Sequence, residues 1–300
     1  MPMEYFEQRE RALLGDRFDV LYAAPQETAE RGVTVSALRS SPEQFAAKAD
    51  FPLEASPFCK AAFVVHQPDD LKFRPGRHPY HHAGVFYSQE PSASSAAPLL
   101  GVQPGMRVLD MCAAPGGKTI LLAEQMHSTG RLYSCDAAEN RVGLIRTAVQ
   151  RMGLTNVEAL CNDATKVNPA LPQADRILAD VPCSGLGILA KKPDLRYKKL
   201  EPAREAELLA TQSAILDTAA QLLKAGGRLV YSTCTIDPAE NQQQIAAFLA
   251  RHPEFTVVEP AAALPAGMTA GEHGALSVPT RTGMDGFFLC AMQKNGEKLQ

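Results

Sequence analysis

The chain lacks the long apolar runs that membrane-spanning and exported proteins carry. None of its 300 residues belongs to an apolar stretch long enough to cross a bilayer, which takes about 18 consecutive residues. The first residues, Met1 to Arg11, are too polar for the apolar segment of a secretory signal. We therefore expect a cytoplasmic protein that has no membrane partner.

Cysteine pairs at metal-binding spacing are absent as well. The seven cysteines include no Cys-x-x-Cys pair, which argues against a disulfide framework and against a zinc ribbon. His78, His81 and His82 form a cluster, but adjacent histidines rarely face one ion and no acidic partner stands at ligand spacing. We expect no bound metal. Four thiols in or beside apolar runs are predicted to be core residues: Cys59, Cys135, Cys161 and Cys290.

A strong charge of one sign is also missing. The net charge is −3, so contact with a nucleic acid has to come from a local patch. One run of basic residues around Tyr197 fits either a solvent-exposed charged face or a phosphate-binding face. Its cations are Lys191, Lys192, Arg196, Lys198 and Lys199.

Residues 1–90 are predicted to form a small α+β RNA-binding domain. The pattern indicates a helix over Glu4–Leu14, a strand over Thr34–Leu38, and a helix that Ser41 caps and a proline begins. The aromatic residues and histidines of 78–87 fit either RNA contact or packing between domains. The Ser-, Ala- and Pro-rich segment Pro91–Pro98 indicates a linker or the entry to a helix, and we place the domain boundary there.

Residues 91–300 show short apolar runs that alternate with helical stretches, a pattern typical of βαβ units around a parallel sheet. In an open parallel sheet, ligands bind beyond the carboxyl ends of the strands. The sequence therefore predicts an α/β, Rossmann-like domain whose site lies at that edge. The candidate strands are Arg107–Leu109, Arg131–Cys135, Val157–Cys161, Arg176–Ala179, Arg228–Ser232 and Gly286–Met292.

The run Val108–Thr119 combines a strand, a turn of small residues and the start of a helix. Backbone N–H groups at such a turn can approach a carboxylate or a phosphate closely. A P-loop would need glycine where Cys112 stands, and Gly116-Gly117 does not supply the GxGxxG pattern of a dinucleotide site. An S-adenosylmethionine site remains, since it needs this turn and a carboxylate about 20 residues further on.

Asp136, Asp163 and Asp180 each follow a successive predicted strand. Taken alone, each fits a turn residue or a helix N-cap. Taken together with the turn, they are expected to line one crevice, where they would hold the ribose and adenine of the cofactor.

Cys183 and Cys234 each stand just past a strand, on the side of the expected cofactor. A single cysteine there is more often a core residue. Two cysteines, however, match the needs of methyl transfer to carbon 5 of cytosine. A thiolate adds to carbon 6, carbon 5 accepts the methyl group, and a second group helps to break the adduct down. Asp180 is placed to hold the cytosine edge. The run Asp237–Glu240 is predicted to be a capping box whose helix favours the Cys234 thiolate.

These motifs together resemble the RNA cytosine-5 methyltransferases of the sun (RsmB/RsmF-like) family. The matching pieces are Asp110–Thr119, Asp180–Gly185 and Ser232–Thr235, in the family's order. The segment Gly76–Ala93 is similar to the one that joins the family's N-terminal and catalytic domains. The resemblance covers roughly residues 10–295.

The resemblance implies the roles of individual residues. Cys234 would be the nucleophile and Cys183 the thiol that assists product release, whereas DNA enzymes use the Pro-Cys cysteine as nucleophile. The residues implied to bind S-adenosylmethionine are Cys112, Ala113, Ala114, Pro115, Gly116, Gly117, Lys118, Asp136, Arg141, Asp163 and Asp180.

RNA is the implied partner, with ribosomal RNA as the first candidate and transfer RNA as the second. Two alternatives stay open at this point: a DNA cytosine-5 methyltransferase and an RNA-binding assembly factor without turnover. Bacterial relatives often continue into a further RNA-binding region, whereas this chain ends soon after Asp285–Cys290. A naturally short member and a truncated chain both fit that ending.

Overall fold

Two sheets organise the chain, a small one near the N terminus and a larger one after it. The computed structural model describes residues 2–22, 31–66, 74–198, 201–260, 262–264, 267–277 and 285–296. Among these residues, no helix is both long and apolar enough to cross a membrane.

The small sheet is antiparallel, with its four strands in the order β2-β3-β1-β4. A 3₁₀ helix over Pro75–Arg77 precedes the last helix of this part of the chain. The helices and strands in chain order are α1 (Pro2–Leu14), α2 (Arg17–Tyr22), β1 (Arg31–Val35), α3 (Pro42–Lys48), β2 (Leu53–Ala55), β3 (Ala62–Val65), α4 (Pro79–His82) and β4 (Phe86–Ser88).

The predicted helices α1 and α3 are confirmed, and Ser41 caps α3 by accepting a hydrogen bond from the Gln44 backbone N–H at 3.2 Å. The strand predicted over Thr34–Leu38 is wrong in its position. Strand β1 ends earlier because the backbone N–H groups of Arg39 and Ser40 both donate to the Ser36 carbonyl at 3.0 Å and close a turn.

Phenylalanine rings fill the core beside the small sheet. The ring centroid of Phe45 lies 6.2, 5.8 and 5.6 Å from those of Phe51, Phe63 and Phe86. Phe86 and its neighbour Tyr87 are buried. Of the two alternatives for the aromatic residues of this segment, the structure therefore supports packing for Phe86 and Tyr87.

The larger sheet is mixed, in the order β11-β12-β13-β9-β8-β5-β6-β7, with β10 also paired to β13. The 3₁₀ helices Ser92–Ser95 and Pro193–Tyr197 accompany it. Its helices and strands are α5 (Ala96–Leu100), β5 (Arg107–Asp110), α6 (Gly117–Gln125), β6 (Arg131–Asp136), α7 (Glu139–Met152), β7 (Val157–Cys161), β8 (Ala174–Asp180), α8 (Pro202–Leu222), β9 (Leu223–Thr233), α9 (Gln242–Arg251), β10 (Phe255–Val257), β11 (Met268–Gly271), β12 (Gly274–Ser277) and β13 (Phe287–Lys294).

Strands β9, β8, β5, β6 and β7 run parallel, and β13 runs antiparallel to β9. Each of the six predicted strands overlaps an observed one, and the predicted α/β, Rossmann-like fold is confirmed. The carboxyl ends of the five parallel strands therefore meet at one edge of the sheet, where ligands bind in this fold.

The segment Pro91–Pro98 is a buried entry to helix α5. Ser92, Ser94 and Ser95 are each at most 1% exposed, and α5 packs against β9 and α6. Of the two alternatives for this segment, the structure thus shows the helix entry. The division into residues 1–90 and 91–300 stays a prediction.

Helix α1 packs against the larger unit. Phe6 and Leu14 share a buried cluster with Leu186, Leu189 and Ile236, which stand in the loops after Cys183 and Cys234. The first helix of the chain therefore supports the two cysteine loops.

Two of the four thiols predicted to be core residues, Cys135 and Cys290, are buried, and Cys59 is half-buried. The prediction is wrong for Cys161, which is exposed. Cys161 is the last residue of β7, and β7 forms the edge of the sheet, so only β6 lies beside it and its other side has no neighbouring strand.

The aromatic core of the small unit makes a testable contribution to stability. Phe45→Ala is expected to lower the free energy of unfolding by about 3–5 kcal/mol, because it leaves a cavity among packed rings. Urea unfolding followed by circular dichroism measures this, since the chain has no tryptophan. The control is Leu38→Ala, whose side chain is 45% exposed. Its cost should stay within about 0.5 kcal/mol, and equal losses in the two variants would contradict the core position of Phe45.

Candidate active site

A cleft of about 610 Å³ opens at the carboxyl ends of the parallel strands. Residues from the ends of β5, β6, β7, β8 and β9 meet there, as expected for this topology. The predicted site residues that line it are Cys112, Ala114, Pro115, Asp136, Arg141, Asp163, Asp180, Cys183 and Cys234.

The turn between β5 and α6 forms one wall of this cleft. The Ala113 N–H donates to the Cys135 carbonyl at 2.8 Å, which fixes the turn against β6. Gly116 has a φ of 109°, in the left-handed region that favours glycine. Ala113, Gly117 and Lys118 line a second, smaller pocket, which shares Cys112, Ala114 and Pro115 of the turn with the cleft.

Asp136, at the end of β6, is 3% exposed and is paired with Arg141. Arg141 Nη1 lies 3.2 Å from Asp136 Oδ2, and Nη2 donates to the Ala114 carbonyl at 3.1 Å. Arg141 therefore connects this carboxylate to the turn at the rim of the cleft.

Asp163 stands on the loop after β7. Its Oδ1 accepts hydrogen bonds from the Thr165 hydroxyl at 2.6 Å and the Thr165 N–H at 3.0 Å. These bonds, with Lys166 beside them, lower the pKa of Asp163 and keep it a carboxylate. A charged acceptor thus faces the cleft at this point.

Asp180, at the end of β8, is held from two sides. Lys118 Nζ donates to Oδ2 at 2.8 Å, and the Ser232 hydroxyl donates to Oδ1 at 2.6 Å. Burial lowers the pKa of Lys118, but Asp180 more than offsets this effect and raises it. The pair therefore keeps a fixed cation and a fixed anion beside the thiols.

Cys183 Sγ and Cys234 Sγ lie 3.2 Å apart. The hydrogen bond from the Cys183 thiol lowers the pKa of Cys234, with Lys118 and Lys192 acting in the same direction against burial and Asp180. The same hydrogen bond and burial raise the pKa of Cys183. Of the two sulfurs, Cys234 is therefore the one that ionises first.

Sequence reasoning missed the role of Glu240, which is 1% exposed. Its Oε2 accepts hydrogen bonds from the Ser184 N–H and from Gln212 Nε2, both at 2.9 Å. The Gln212 amide also donates to the Pro182 carbonyl at 3.0 Å. Glu240 thus joins the loop after Cys234 to the loop that carries Cys183. The only sequence signal at this position was the run Asp237–Glu240, and that run predicted a helix cap.

The predicted capping box at Asp237–Glu240 is wrong. Helix α9 begins at Gln242, and Asn241 precedes it without a side-chain cap. The Glu240 side chain turns inward instead, while Asp237 accepts from the Ala239 N–H at 2.9 Å. The motif on which the predicted effect of the helix N-terminus on Cys234 depended is therefore absent. The hydrogen bond from Cys183 is the largest of the effects that lower the pKa of Cys234.

Lys191, one of the cations predicted to bind phosphate, instead forms two ion pairs within the protein. Its Nζ lies 2.6 Å from Asp285 Oδ2 and 3.2 Å from Glu90 Oε1. Glu90 belongs to the segment after β4, so Lys191 joins three distant parts of the chain.

The other cations of this run differ in their surroundings. Lys192 is exposed and lines the cleft, Arg196 is half-buried, and Lys198 pairs with Asp194 at 2.8 Å. Lys199 lies outside the described residues. Phosphate binding thus stays a prediction that rests mainly on Lys192.

The parallel sheet and the small-residue turn define the class of Rossmann-like methyltransferases. A family model described as 16S rRNA methyltransferase RsmB/F matches residues 97–293. A second, described as the N-terminal domain of 16S rRNA methyltransferase RsmF, matches residues 1–91. The chain belongs to the RsmB/F family of 16S rRNA methyltransferases, which confirms the resemblance seen in the sequence. Its cofactor class is that of the family, S-adenosylmethionine.

Individual relatives agree with this assignment. The chain is 42% identical over 216 residues to a probable ribosomal RNA small subunit methyltransferase B of Bacillus subtilis (strain 168), which covers 69% of this chain and 47% of that protein. It is 34% identical over 297 residues to the ribosomal RNA small subunit methyltransferase F of Cronobacter sakazakii (strain ATCC BAA-894), which covers 95% of this chain and 61% of that protein. The chain therefore spans about half to three fifths of these relatives.

A solved structure described as a methyltransferase homolog protein from Pyrococcus horikoshii is similar in fold. The TM-score is 0.81 and the sequence identity 27%, with 97% of this chain and 93% of that chain covered. The similarity in fold thus extends over nearly the whole of both chains.

The lowered pKa of Cys234 predicts its reactivity. Only the thiolate is alkylated, so iodoacetamide should modify Cys234 with a midpoint below pH about 8.5, the ordinary thiol value. Cys183→Ala should move that midpoint upward, because it removes the donor to the thiolate. Mass spectrometry of the Cys234 peptide across pH measures both. Cys161→Ala, at an exposed thiol, should leave the midpoint unchanged, and a wild-type midpoint at or above about 8.5 would contradict the assignment.

The contact of α1 with the Cys234 loop predicts a stability difference between two arginines. Arg9 pairs with Asp237 and lies 3.3 Å from Glu205, and its side chain is only 15% exposed. Arg9→Met should lower the free energy of unfolding by about 1–3 kcal/mol, because it leaves Asp237 without its cation. Arg11→Met is the matched control, since the pairs of Arg11 with Glu7 and Asp19 are exposed. Urea unfolding that gave equal losses would argue against the α1 contact.

Proposed function

We propose that this chain transfers the methyl group of S-adenosylmethionine to carbon 5 of a cytosine in RNA. The observation that carries the proposal is the 3.2 Å contact between the sulfurs of Cys183 and Cys234 in the cleft that Asp180 also lines. Methyl transfer to oxygen or nitrogen needs no cysteine adduct, whereas carbon 5 of cytosine becomes nucleophilic only after a thiolate has added.

The residues of the cleft fit the cofactor. Asp136 Oδ2 is buried and makes no hydrogen bond among the described residues, although Arg141 lies nearby, so an acceptor is available for a ribose hydroxyl. Asp163 presents a charged acceptor for the adenine side, and the turn from Cys112 to Lys118 presents backbone groups for the amino-acid end. When bound there, S-adenosylmethionine supplies an electrophilic methyl group.

Cys234 acts as the nucleophile in this proposal. Its thiolate forms a bond to carbon 6 of the cytosine, and the electron pair of the 5,6 double bond moves to carbon 5, which accepts the methyl group. Removal of the carbon 5 proton then restores the double bond and expels the Cys234 thiolate. The base has to leave its stack to reach the cleft.

Asp180 and Lys118 hold the cytosine edge. The Asp180 carboxylate accepts from the exocyclic amine, and the Lys118 ammonium stabilises the charge that develops on the ring during addition. Because Lys118 and Ser232 already fix Asp180, little reorganisation is needed when the base arrives.

Cys183 assists product release. In the resting site, its hydrogen bond to the Cys234 sulfur raises its pKa. Once Cys234 is bonded to carbon 6, that negative charge is gone and Cys183 loses its proton more readily. It then stands beside the adduct as a base for the carbon 5 proton.

Small-subunit ribosomal RNA is the first candidate substrate, because the relatives carry that substrate in their names. Transfer RNA is the second. A DNA enzyme would use Cys183 as nucleophile, and the opposite directions of the two pKa shifts favour Cys234 instead. An assembly factor without turnover would not need an activated thiol. The expected cytoplasmic location stays a prediction.

The proposal is tested by transfer of labelled methyl from S-adenosylmethionine to unmodified 16S rRNA. Cys234→Ala should reduce transfer by on the order of a thousandfold or more, and should form no protein–RNA adduct stable to denaturation. Cys183→Ala should accumulate that adduct, because the nucleophile is intact and release is impaired.

The matched control is Cys161→Ala, which removes an exposed thiol outside the cleft and should retain wild-type transfer. Loss of the adduct in Cys183→Ala alone would reverse the two roles and reopen the DNA alternative. Transfer that survives in Cys234→Ala would reject the covalent mechanism.

A further inference from the structure

Asn241 stands directly before α9 and is fully buried, with 0% of its surface exposed. Asparagine is a preferred residue at this position, because its side-chain oxygen usually accepts a hydrogen bond from a backbone N–H of the first helical turn. The Asn241 side chain makes no such bond. Helix α9 thus begins without the usual cap, and the amide of its first flanking residue is used elsewhere.

The Asn241 amide joins the two residues on either side of Cys234. The Thr233 hydroxyl donates to Asn241 Oδ1 at 2.6 Å, and Asn241 Nδ2 donates to the Thr235 carbonyl at 2.9 Å. The second bond fixes the orientation of the amide, because a carbonyl oxygen can only accept. Thr233 and Thr235 are themselves 0% exposed. One buried side chain therefore braces the segment that carries the Cys234 sulfur from both ends.

Further contacts hold the same segment against the loop that carries Cys183. The Gly187 N–H donates to the Cys234 carbonyl at 3.0 Å, and the hydroxyl oxygens of Ser184 and Thr235 lie 2.9 Å apart. A Cβ on Gly187 would stand only 2.8 Å from the Cys234 carbonyl oxygen, so glycine is needed for this close approach. The backbone of Cys234 is thus held from the side of Cys183, and the Asn241 amide holds the residues before and after it.

Cys234 needs such a brace because it is the first residue beyond β9. The pairing of β9 with β13 ends at Thr233, and its pairing with β8 ends at Ser232. Beyond a strand end, the position of the backbone depends on the side chains that contact it. A shift of Cys234 would lengthen its 3.2 Å contact with the Cys183 sulfur, and a hydrogen bond weakens as its geometry departs from the preferred one. The bonds of Asn241 therefore continue beyond β9 the restraint that the sheet provides within it.

We propose that Asn241 is a positioning residue for the reaction, which holds the Cys234 sulfur in the cleft and against Cys183. The proposal rests on the proposed function, since that function makes Cys234 the nucleophile. Asn241 is buried and is not among the residues that line the cleft, so it acts through Cys234 rather than on the cytosine. A helix that gives up its cap for this contact fits the general pattern in which functional sites break local rules of structure.

The test compares wild type with Asn241→Leu and Thr233→Val. Asn241→Leu removes both hydrogen bonds without adding a charge, and Thr233→Val removes one of them while nearly keeping the shape of the side chain. In single turnovers with unmodified 16S rRNA, Asn241→Leu should slow methyl transfer by on the order of tenfold to a hundredfold. The concentrations of RNA and S-adenosylmethionine that give half the maximal rate should stay unchanged. Thr233→Val should show a smaller loss in the same direction.

A second measurement needs no RNA. The pH midpoint of iodoacetamide modification at Cys234 should rise toward about 8.5, the ordinary thiol value, in Asn241→Leu. The reason is that a looser segment lengthens the contact with the Cys183 thiol, the donor that stabilises the thiolate. Melting temperatures show whether each variant folds, and Thr233→Val carries the test if Asn241→Leu does not.

The matched control is Asn156→Leu. Asn156 is also buried, its Nδ2 donates to the Thr129 carbonyl at 3.2 Å, and it precedes β7 at the edge of the sheet opposite the cleft. This variant should lower the melting temperature but keep the wild-type transfer rate and Cys234 midpoint. Wild-type transfer rates in folded Asn241→Leu and Thr233→Val would overturn the proposal, as would equal losses in Asn156→Leu. A wild type that transfers no methyl group would reject the proposed function itself, and the alkylation midpoints would still decide the role of Asn241.

Discussion

Two loops from different strand ends have to be held together for Cys183 and Cys234 to touch, and the buried carboxylate of Glu240 does this. Oε2 receives one hydrogen bond from the backbone next to Cys183 and one from Gln212, while the Tyr231 hydroxyl donates to the Glu240 carbonyl at 2.7 Å. Burial raises the pKa of Glu240, and the hydrogen bonds from Ser184 and Gln212 oppose that effect. A buried acceptor left unpaired is costly, so the two donors to Oε2 fix the carboxylate, and the Tyr231 hydroxyl fixes the backbone of the same residue. The sulfur contact is thus a consequence of this polar network rather than of the sheet alone.

The same arrangement separates the properties of two chemically identical thiols. Each thiol is half-buried, and the partial loss of water by itself raises the pKa of both. The hydrogen bond between them couples the two thiols, because it stabilises one thiolate only when the other sulfur keeps its proton. The positive charges of Lys118 and Lys192 lower the pKa of Cys234, while the negative charge of Glu240 raises the pKa of Cys183. The identity of the first thiolate therefore depends on charges outside both cysteine motifs.

The sequence predicted what local patterns encode. The alternation of apolar runs and helices predicted the parallel sheet. The positions of Asp136, Asp163, Asp180 and the two thiols just after strands predicted that they meet in one site, because residues that follow successive parallel strands lie at one edge of the sheet. What it missed depends on long-range contacts. Glu240 stands in a run that resembles a capping box, and only the tertiary structure shows that its side chain turns toward Ser184. The exposure of Cys161 followed from the position of β7 at the sheet edge, which strand order alone decides.

The N-terminal part of the chain contacts the cysteine loops at two separate points. Helix α1 reaches the loop after Cys234 through Arg9 and Asp237, and the segment after β4 reaches the loop after Cys183 through Glu90 and Lys191. Each contact is an ion pair with little exposure, so its strength depends on geometry more than on salt. Helix α1 and the segment after β4 therefore help to hold the two loops that carry Cys183 and Cys234.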